Sequence, residues 1–255
     1  MQREKAGLST LDRICDILNA FNENQKVLTL TEISRQLKLP KSTIHRFIAA
    51  LVSHDLLHHA PDGNGYQLGY QLIHWGALAQ SSIALHERAI PILHELSEKT
   101  GETSVLSIRD GFSAIWLDQV ESRQPVRWAK RVGMRVMLHA GASSKVLWAF
   151  LPDSEIEEIL AHIDLVQLQP NTITDKDKMR SELKRIRRQG YATSYEETDR
   201  GAMGVAAPVF DYSGRLAAGI GIIAPINRMP AEEMERTIPI VLEAANKLSR
   251  QLGAP

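Results

Sequence analysis

The chain has 255 residues, 44% of them hydrophobic, and a formal net charge of zero. That length suits two modest domains, and the neutral balance excludes nucleic-acid binding through a global basic field. No apolar run approaches the roughly 18–20 residues of a membrane span. The N-terminal MQREKAGLST lacks the apolar core of a secretory signal, and the one cysteine, Cys15, excludes a disulfide within the chain. These features predict a cytoplasmic protein with no membrane partner.

Leu8, Leu11, Ile14, Cys15, Leu18 and Phe21 recur at helical spacing, with Ser9 and Asp12 spaced as a capping box. Cys15 is expected to be a small buried hydrophobe on that face. Thr29 and Glu32 repeat the capping signal ahead of Ile33 and Leu37, a short second helix that Leu39-Pro40 breaks. A third helix turns Ile44, Phe47, Ile48 and Leu51 inward, which leaves Lys41, Ser42, Thr43, His45, Arg46 and Ala49 outward. Between Glu32 and Asp55 there is no acidic residue, while Arg35, Lys38, Lys41 and Arg46 make the interval locally basic. Leu56–His59 and Tyr66–Leu68 then flank the turn Pro61-Asp62-Gly63-Asn64-Gly65, a strong hairpin signal.

This order predicts a winged helix-turn-helix over 1–69 whose third helix enters the major groove of double-stranded DNA. Arg46 suits bidentate pairing with guanine or phosphate, Lys41 a phosphate contact, and the small hydroxyls of Ser42 and Thr43 close approach to the duplex. His45, Thr31 on the second helix, and Asn64 and Tyr66 on the wing complete the expected DNA-binding set.

Residues 70–82 carry Leu72, Ile73, Trp75, Leu78 and Ala79 at helical spacing without a Gly/Ser-rich run. They predict a helical linker with more apolar surface than a free-standing linker needs, and hence one that packs on a partner subunit. From 83 to 255 helices and strands mix. Leu85–Thr100 reads as a helix kinked at Pro91, and Thr103–Arg109 with Phe112–Val120 as a hairpin. A strand at Arg127–Val132 and a short helix at Ala142–Phe150 follow, then a helix at Ser154–Ala161 opened by a Ser154/Glu157 capping box. Asp175–Gln189 reads as a charged amphipathic helix. Strands at Tyr191–Tyr195, Val205–Phe210 and Leu216–Ile223 precede a terminal helix at Ala231–Leu252. The pattern predicts an α+β sheet domain.

LTLTEISRQLKLPKSTIHRFIAALVSHDLL, the wing ending YQLG, and the later LHAGASSKVLWAF resemble the IclR family of bacterial transcriptional regulators over nearly the whole chain. The resemblance implies a GAF-like effector-binding and oligomerisation domain over 83–255. It also implies a palindromic operator, a homodimer or homotetramer, and a small organic effector. It implies an effector pocket lined by the segments that hold Gly141 and Ala142, Tyr191–Glu197, Gly201–Gly204 and Gly221–Ile223.

Independently, the small residues His139-Ala140-Gly141-Ala142-Ser143-Ser144 free backbone amides at a helix N-terminus, which favours carboxylates. The expected effector set is Trp116, Met134, Gly141, Ala142, Ser143, Ser194, Glu196, Gly204, Gly221 and Ile223, with Trp128 as a further wall. Where family members that bind small 2-oxo acids carry an acid, a cysteine and serines, this chain has Ser194, Gly204, Gly221 and Ile223. A less polar and roomier pocket is therefore expected, suited to a larger or more apolar acid. The run Glu196, Glu197 and Asp199 is read as a solvated loop.

Nine histidines invite a metal or catalytic reading. No H-E-x-x-H, paired cysteines, G-x-S-x-G elbow, phosphate loop or dinucleotide fingerprint is present, so no metal, no cofactor and no enzymatic activity are expected. The leading expectation is a DNA-binding regulator, a repressor before an activator, that answers to a metabolite. The alternatives are a ligand-blind DNA-binding protein whose C-terminal domain only oligomerises, and an enzyme with a DNA-binding appendage.

Overall fold

The computed structural model describes residues 10–22, 24–81, 84–128 and 131–254, and the chain forms two compact units, 1–82 and 83–255. In the first unit α1 (Thr10–Asn19), α2 (Leu30–Leu37) and α3 (Lys41–Ser53) precede β1 (Leu57–His59), β2 (Tyr66–Leu68) and α4 (Tyr70–Ser81). Ile17, Phe21, Leu28, Ile33, Ile44, Phe47, Ile48, Leu51 and Leu57 form its core. The second capping box is complete. Thr29 N and Oγ1 each donate to Glu32 Oε2 at 2.8 Å, and Glu32 N donates back to Thr29 Oγ1 at 3.2 Å.

Strands β1 and β2 pair antiparallel in the register Leu57↔Leu68, His58↔Gln67, His59↔Tyr66. Leu28 exchanges both backbone bonds with Tyr66, at 3.0 and 2.9 Å, so the wing is stapled to the segment ahead of α2.

Two sequence expectations fail on α1. Cys15 is exposed rather than buried, and Leu11 is 67% exposed. The buried stripe is narrower than the apolar spacing suggests and runs through Ile14, Ile17 and Leu18 to Phe21, a rotation that leaves position 15 off the face. Leu8 and the Ser9 half of the first capping box lie outside the described residues.

The second unit contains α5 (Ala84–Thr100), β3 (Thr103–Asp110), β4 (Ser113–Val120), β5 (Arg135–Met137) and α6 (Ala142–Ala149). It continues with α7 (Asp153–His162), α8 (Lys176–Gln189), β6 (Ala192–Tyr195), β7 (Ala202–Phe210), β8 (Leu216–Pro225) and α9 (Ala231–Gln251). Its strands form one antiparallel sheet of order β5-β4-β3-β8-β7-β6.

Period-two alternation divides the two faces. Val205, Ala207 and Val209 of β7, with Ala218, Ile220 and Ile222 of β8, pack against α5 and α9. The opposite positions are small: Ala202, Gly204 and Ala206 on β7, Gly219 and Gly221 on β8. That strip lets α6 lie close to the sheet. A Cβ on Gly219 would sit 3.2 Å from Ser143 O, and one on Gly204 would sit 3.5 Å from Ala142 Cβ. On the far side of α6, α7 and α8 complete the second core with Ile156, Ile159, Leu160, Met179, Leu183 and Ile186.

The strand expected at Arg127–Val132 is not one. Arg127 and Trp128 lie in irregular chain, positions 129–130 are outside the described residues, and Val132-Gly133 form a turn. Gly133 N donates to Trp116 O at 2.7 Å from a backbone with φ +84°, and the chain pairs with β4 only beyond that turn, as β5. Ser154 does not cap α7 either, because the helix begins at Asp153 behind Pro152. Helix α5 runs through Pro91 as one element.

Gly69 joins the wing to α4 where no side chain fits: a Cβ there would lie 1.9 Å from Asp55 O. Gly69→Ala is expected to cost about 2–3 kcal/mol through overpacking against backbone. Gly63→Ala, at φ +75° with nothing within 4 Å, is expected to cost about 1–2 kcal/mol of left-handed strain. Thermal unfolding followed by circular dichroism checks the order, and Gly69→Ala melting above Gly63→Ala would contradict it.

Candidate functional site

The first candidate is a nucleic-acid face. Between α2 and α3, Lys38 adopts a left-handed conformation at φ +55°. The N–H groups of Lys38 and Leu39 both donate to Ser34 O, and Ser34 Oγ donates to Leu39 O at 2.6 Å. This closed turn fixes the angle at which α3 leaves α2. On α3, Lys41, Ser42, His45, Arg46 and Ala49 are exposed and Thr43 is half-buried. Pro40 occupies the N-cap position and no side chain caps the helix, so its first turn offers backbone N–H groups beside Lys41 and Ser42.

Thr31 is exposed on α2 and Asn64 is exposed at the wing tip. Tyr66 sits differently from the other expected contacts. Its ring packs on the core and lies 5.0 Å from His59, which makes it an anchor of the wing. His58 Nε2 accepts from Tyr70 N at 3.1 Å, tying the wing to the start of α4.

The second candidate is a pocket between the N-terminus of α6 and the sheet. It is lined by Val105, Trp116 and Val136, by residues 140–144, by Ser194 and Thr198, by residues 202–204, and by Ile222 and Ile223. The fold thus brings together seven of the expected effector residues: Trp116, Gly141, Ala142, Ser143, Ser194, Gly204 and Ile223.

Three of the expected residues do not line this pocket. Met134 accepts from Trp116 N through its carbonyl at 3.1 Å and belongs to the turn before β5. Glu196, at φ +48°, folds back so that its carboxylate accepts from Gly201 N at 2.6 Å. Gly221 serves packing, since a Cβ there would lie 2.1 Å from Val205 O. Trp128 packs behind the wall, against the cluster of Val105, Trp116 and Ile223.

Sequence reasoning missed Val105, Val136 and Thr198, while Ala140, Ser144, Ala202, Met203 and Ile222 fall in segments it named without being singled out. Val105 reaches the pocket through the fold, which pairs β3 with β8 and sets Val105 opposite Gly221. The space in the pocket is about 40 Å³, more than one water needs but well short of the roughly 150 Å³ of a cavity that takes up benzene. An aromatic occupant would have to displace side chains.

The pocket's amide end is held by a buried ion cluster. Lys145 is 1% exposed, and its Nζ donates to Glu197 Oε1 at 2.5 Å, Thr193 O at 2.9 Å and Glu182 Oε1 at 3.2 Å. The other oxygen of Glu197 accepts from Gly141 N at 3.0 Å, the N-cap position of α6. Glu197 is therefore buried and structural, contrary to the solvated loop expected for its run. Burial pushes the Glu182 carboxyl up. The hydrogen bond from Arg185 and the charge of Lys145 more than offset this and hold it below its ordinary value. A depressed carboxyl contributes stability above its unfolded value, and that contribution is lost as pH falls through the folded one.

Removing the cation leaves the buried Glu197 carboxylate without a counter-charge and Glu182 with Arg185 alone. Lys145→Met is expected to cost about 3–5 kcal/mol, a fall in Tm on the order of 10 °C for a unit of this size. The double variant Lys145→Met/Glu197→Gln is expected to lose less than the sum of its parts. Calorimetry on the three variants checks this, and strict additivity would contradict the cluster.

Among the described residues no group of three or more His, Cys, Asp or Glu side chains is placed to hold a metal ion, and no helix is long and apolar enough to cross a membrane.

Comparison with known proteins gives two family matches. Residues 10–61 match the IclR helix-turn-helix domain, and residues 77–250 match the bacterial transcriptional regulator IclR C-terminal domain. The chain is 32% identical to the HTH-type transcriptional regulator XynR of Escherichia coli, covering 97% of this chain and 98% of that one. It is 33% identical to the HTH-type transcriptional regulator BhcR of Paracoccus denitrificans, covering 96% and 88%.

The Thermotoga maritima IclR crystal structure superposes with a TM-score of 0.80 at 32% identity, covering 96% of this chain and 98% of that one. An IclR homologue from Microbacterium hydrocarbonoxydans complexed with 4-hydroxybenzoate superposes with a TM-score of 0.84 at 27% identity, covering 96% and 99%. The helix-turn-helix and the α/β domain are the two matched parts, and the chain belongs to the IclR family of bacterial transcriptional regulators.

Proposed function

We propose that the protein is a sequence-specific regulator of transcription, a repressor, whose grip on a palindromic operator is controlled by a small carboxylic acid bound at the N-terminus of α6. The observation that carries this reading is the pocket, where the amide end of α6 opens onto an apolar wall. The end amides suit the carboxylate, and Val105, Trp116 and Val136 suit its organic part. That a homologue is complexed with 4-hydroxybenzoate favours the same class of ligand. Ligand acts only by binding one state of the second unit more tightly than the other.

DNA is read by Arg46, Ser42, Thr43 and His45, with Lys41, Thr31 and Asn64 on or near phosphates. The chain works as a homodimer or homotetramer in the cytoplasm. Tyr70, Ile73, Trp75 and Leu78 are more than half exposed on α4, an apolar surface suited to a second copy.

A second reading has some support from the 40 Å³ of enclosed space, which fits a domain that only oligomerises.

Arg46→Ala is expected to weaken operator binding roughly 5- to 150-fold, the scale of one bidentate base contact. Thr43→Ala is expected to weaken it less, and affinity should fall steeply with salt. Gel shift on a selected operator checks this, and unchanged affinity in both variants would remove α3 as the reading element. A thermal-shift panel of aliphatic, aromatic and sugar acids separates the two readings. A dose-dependent rise in Tm with one class supports the effector pocket, and no shift across the panel favours the oligomerising domain.

A further inference from the structure

We propose that Asn64, at the tip of the wing, is a site of spontaneous deamidation that places a negative charge on the hairpin facing DNA. The functional half of this proposal rests on the DNA-binding reading above. The chain contains a single Asn-Gly pair, Asn64-Gly65. Asn64 is exposed, and among the described residues no group accepts a hydrogen bond from the Gly65 N–H.

That N–H is the nucleophile in the chemistry. The Gly65 nitrogen forms a bond to Asn64 Cγ, its proton passes to solvent, and ammonia leaves from the side-chain amide. Water then opens the resulting cyclic imide at either carbonyl, giving an aspartyl or isoaspartyl residue at position 64. No oxidant or reductant is needed. Glycine at the following position removes the side chain that would hinder this attack.

The fold keeps that glycine in place. Gly65 sits at φ +136°, and a Cβ there would come within 2.9 Å of Leu28 O and 3.0 Å of Val27 Cγ1. The same close approach carries the backbone pairing of Leu28 with Tyr66 that staples the wing to the domain. The reactive pair is thus a consequence of how the wing is attached. At position 64 Asp62 Oδ1 accepts from the backbone N–H, and among the described residues no hydrogen bond holds the exposed Asn64 side chain.

The product matters for binding because the wing tip carries a single acidic side chain, Asp62, between Pro61 and Gly65. A second negative charge there meets the phosphates with the wrong sign, and an isoaspartyl linkage also lengthens the backbone of the turn.

The test uses the full-length protein, incubated in mildly alkaline buffer at body temperature and sampled over days by peptide mapping. Asn24, exposed but followed by Gln25, is the internal control. The expected result is progressive conversion at Asn64 with Asn24 intact. Asn64 remaining unconverted, or converting no faster than Asn24, would overturn the modification site. In parallel, Asn64→Asp and the non-cyclising Asn64→Ser are compared on generic duplex DNA at low salt. Asn64→Asp is expected to bind roughly two- to fivefold more weakly than Asn64→Ser, the scale of one exposed charge. Equal binding would overturn the functional half. Failure of the unmodified protein to bind any duplex would sink the DNA-binding reading and the functional half with it, while the mapping result would still decide the modification.

Discussion

The second unit is organised around one cation out of water. Lys145 belongs to a helix of eight residues whose positions are nearly all buried, and it is matched by Glu197, Glu182 and the carbonyl of Thr193. Such a charge is tolerable only when its partners are held as tightly as it is. The cluster therefore ties together three pieces distant in sequence: α6, α8, and the end of β6 with the turn beyond it. Because Glu197 also accepts from the Gly141 N–H through its other oxygen, the same carboxylate that neutralises Lys145 positions the first turn of α6. Residues 141–144 of that turn line the pocket, so the same carboxylate that is bound to Lys145 also holds the pocket wall in place.

That position has a steric counterpart. The face of β7 and β8 turned toward α6 carries Ala202, Gly204, Ala206, Gly219 and Gly221, while the face turned toward α5 and α9 carries the larger Val205, Val209, Ile220 and Ile222. Large residues on both faces would hold α6 away and separate Lys145 from its partners. The first unit solves a related problem with fewer residues. A complete capping box, a closed turn through Ser34 and a glycine against the Asp55 carbonyl set the attitude of α3 and the wing, which leaves the outer face of α3 to carry charge. A neutral protein thereby presents one basic helix to a polyanion.

Much of this was legible in the sequence because the signals were local. Capping at Thr29, the break at Pro40, the glycine-rich wing turn and the strands at Val205–Phe210 and Leu216–Ile223 are short-range patterns read correctly from residue type. The misreadings share a different cause. Cys15 was placed on a buried face because spacing does not say how wide a helix's buried stripe is. The strand before the pocket was placed too early because Arg127–Val132 looks extended in sequence, yet the chain turns at Val132-Gly133 through a bond from Gly133 to Trp116 that only the fold supplies. Glu196 was expected in the pocket, but its left-handed backbone just beyond β6 turns the carboxylate back onto Gly201 N, a local reversal that residue type does not announce. A signal for Lys145 did exist. The run Val146, Leu147, Trp148, Ala149 leaves α6 without a polar face, so a lysine inside it must be buried and must have a partner.

The central claim is that the end of α6 receives an organic anion. Isothermal titration of the full-length protein with 4-hydroxybenzoate and a panel of smaller carboxylates, each run beside its neutral amide, tests it most directly. The account requires that at least one acid bind while its amide does not, and that binding disappear in Gly204→Val, whose side chain would fill the space beside Ala142 and Ser194. Equal binding of acid and amide, binding that survives Gly204→Val, or no binding by any acid would contradict it.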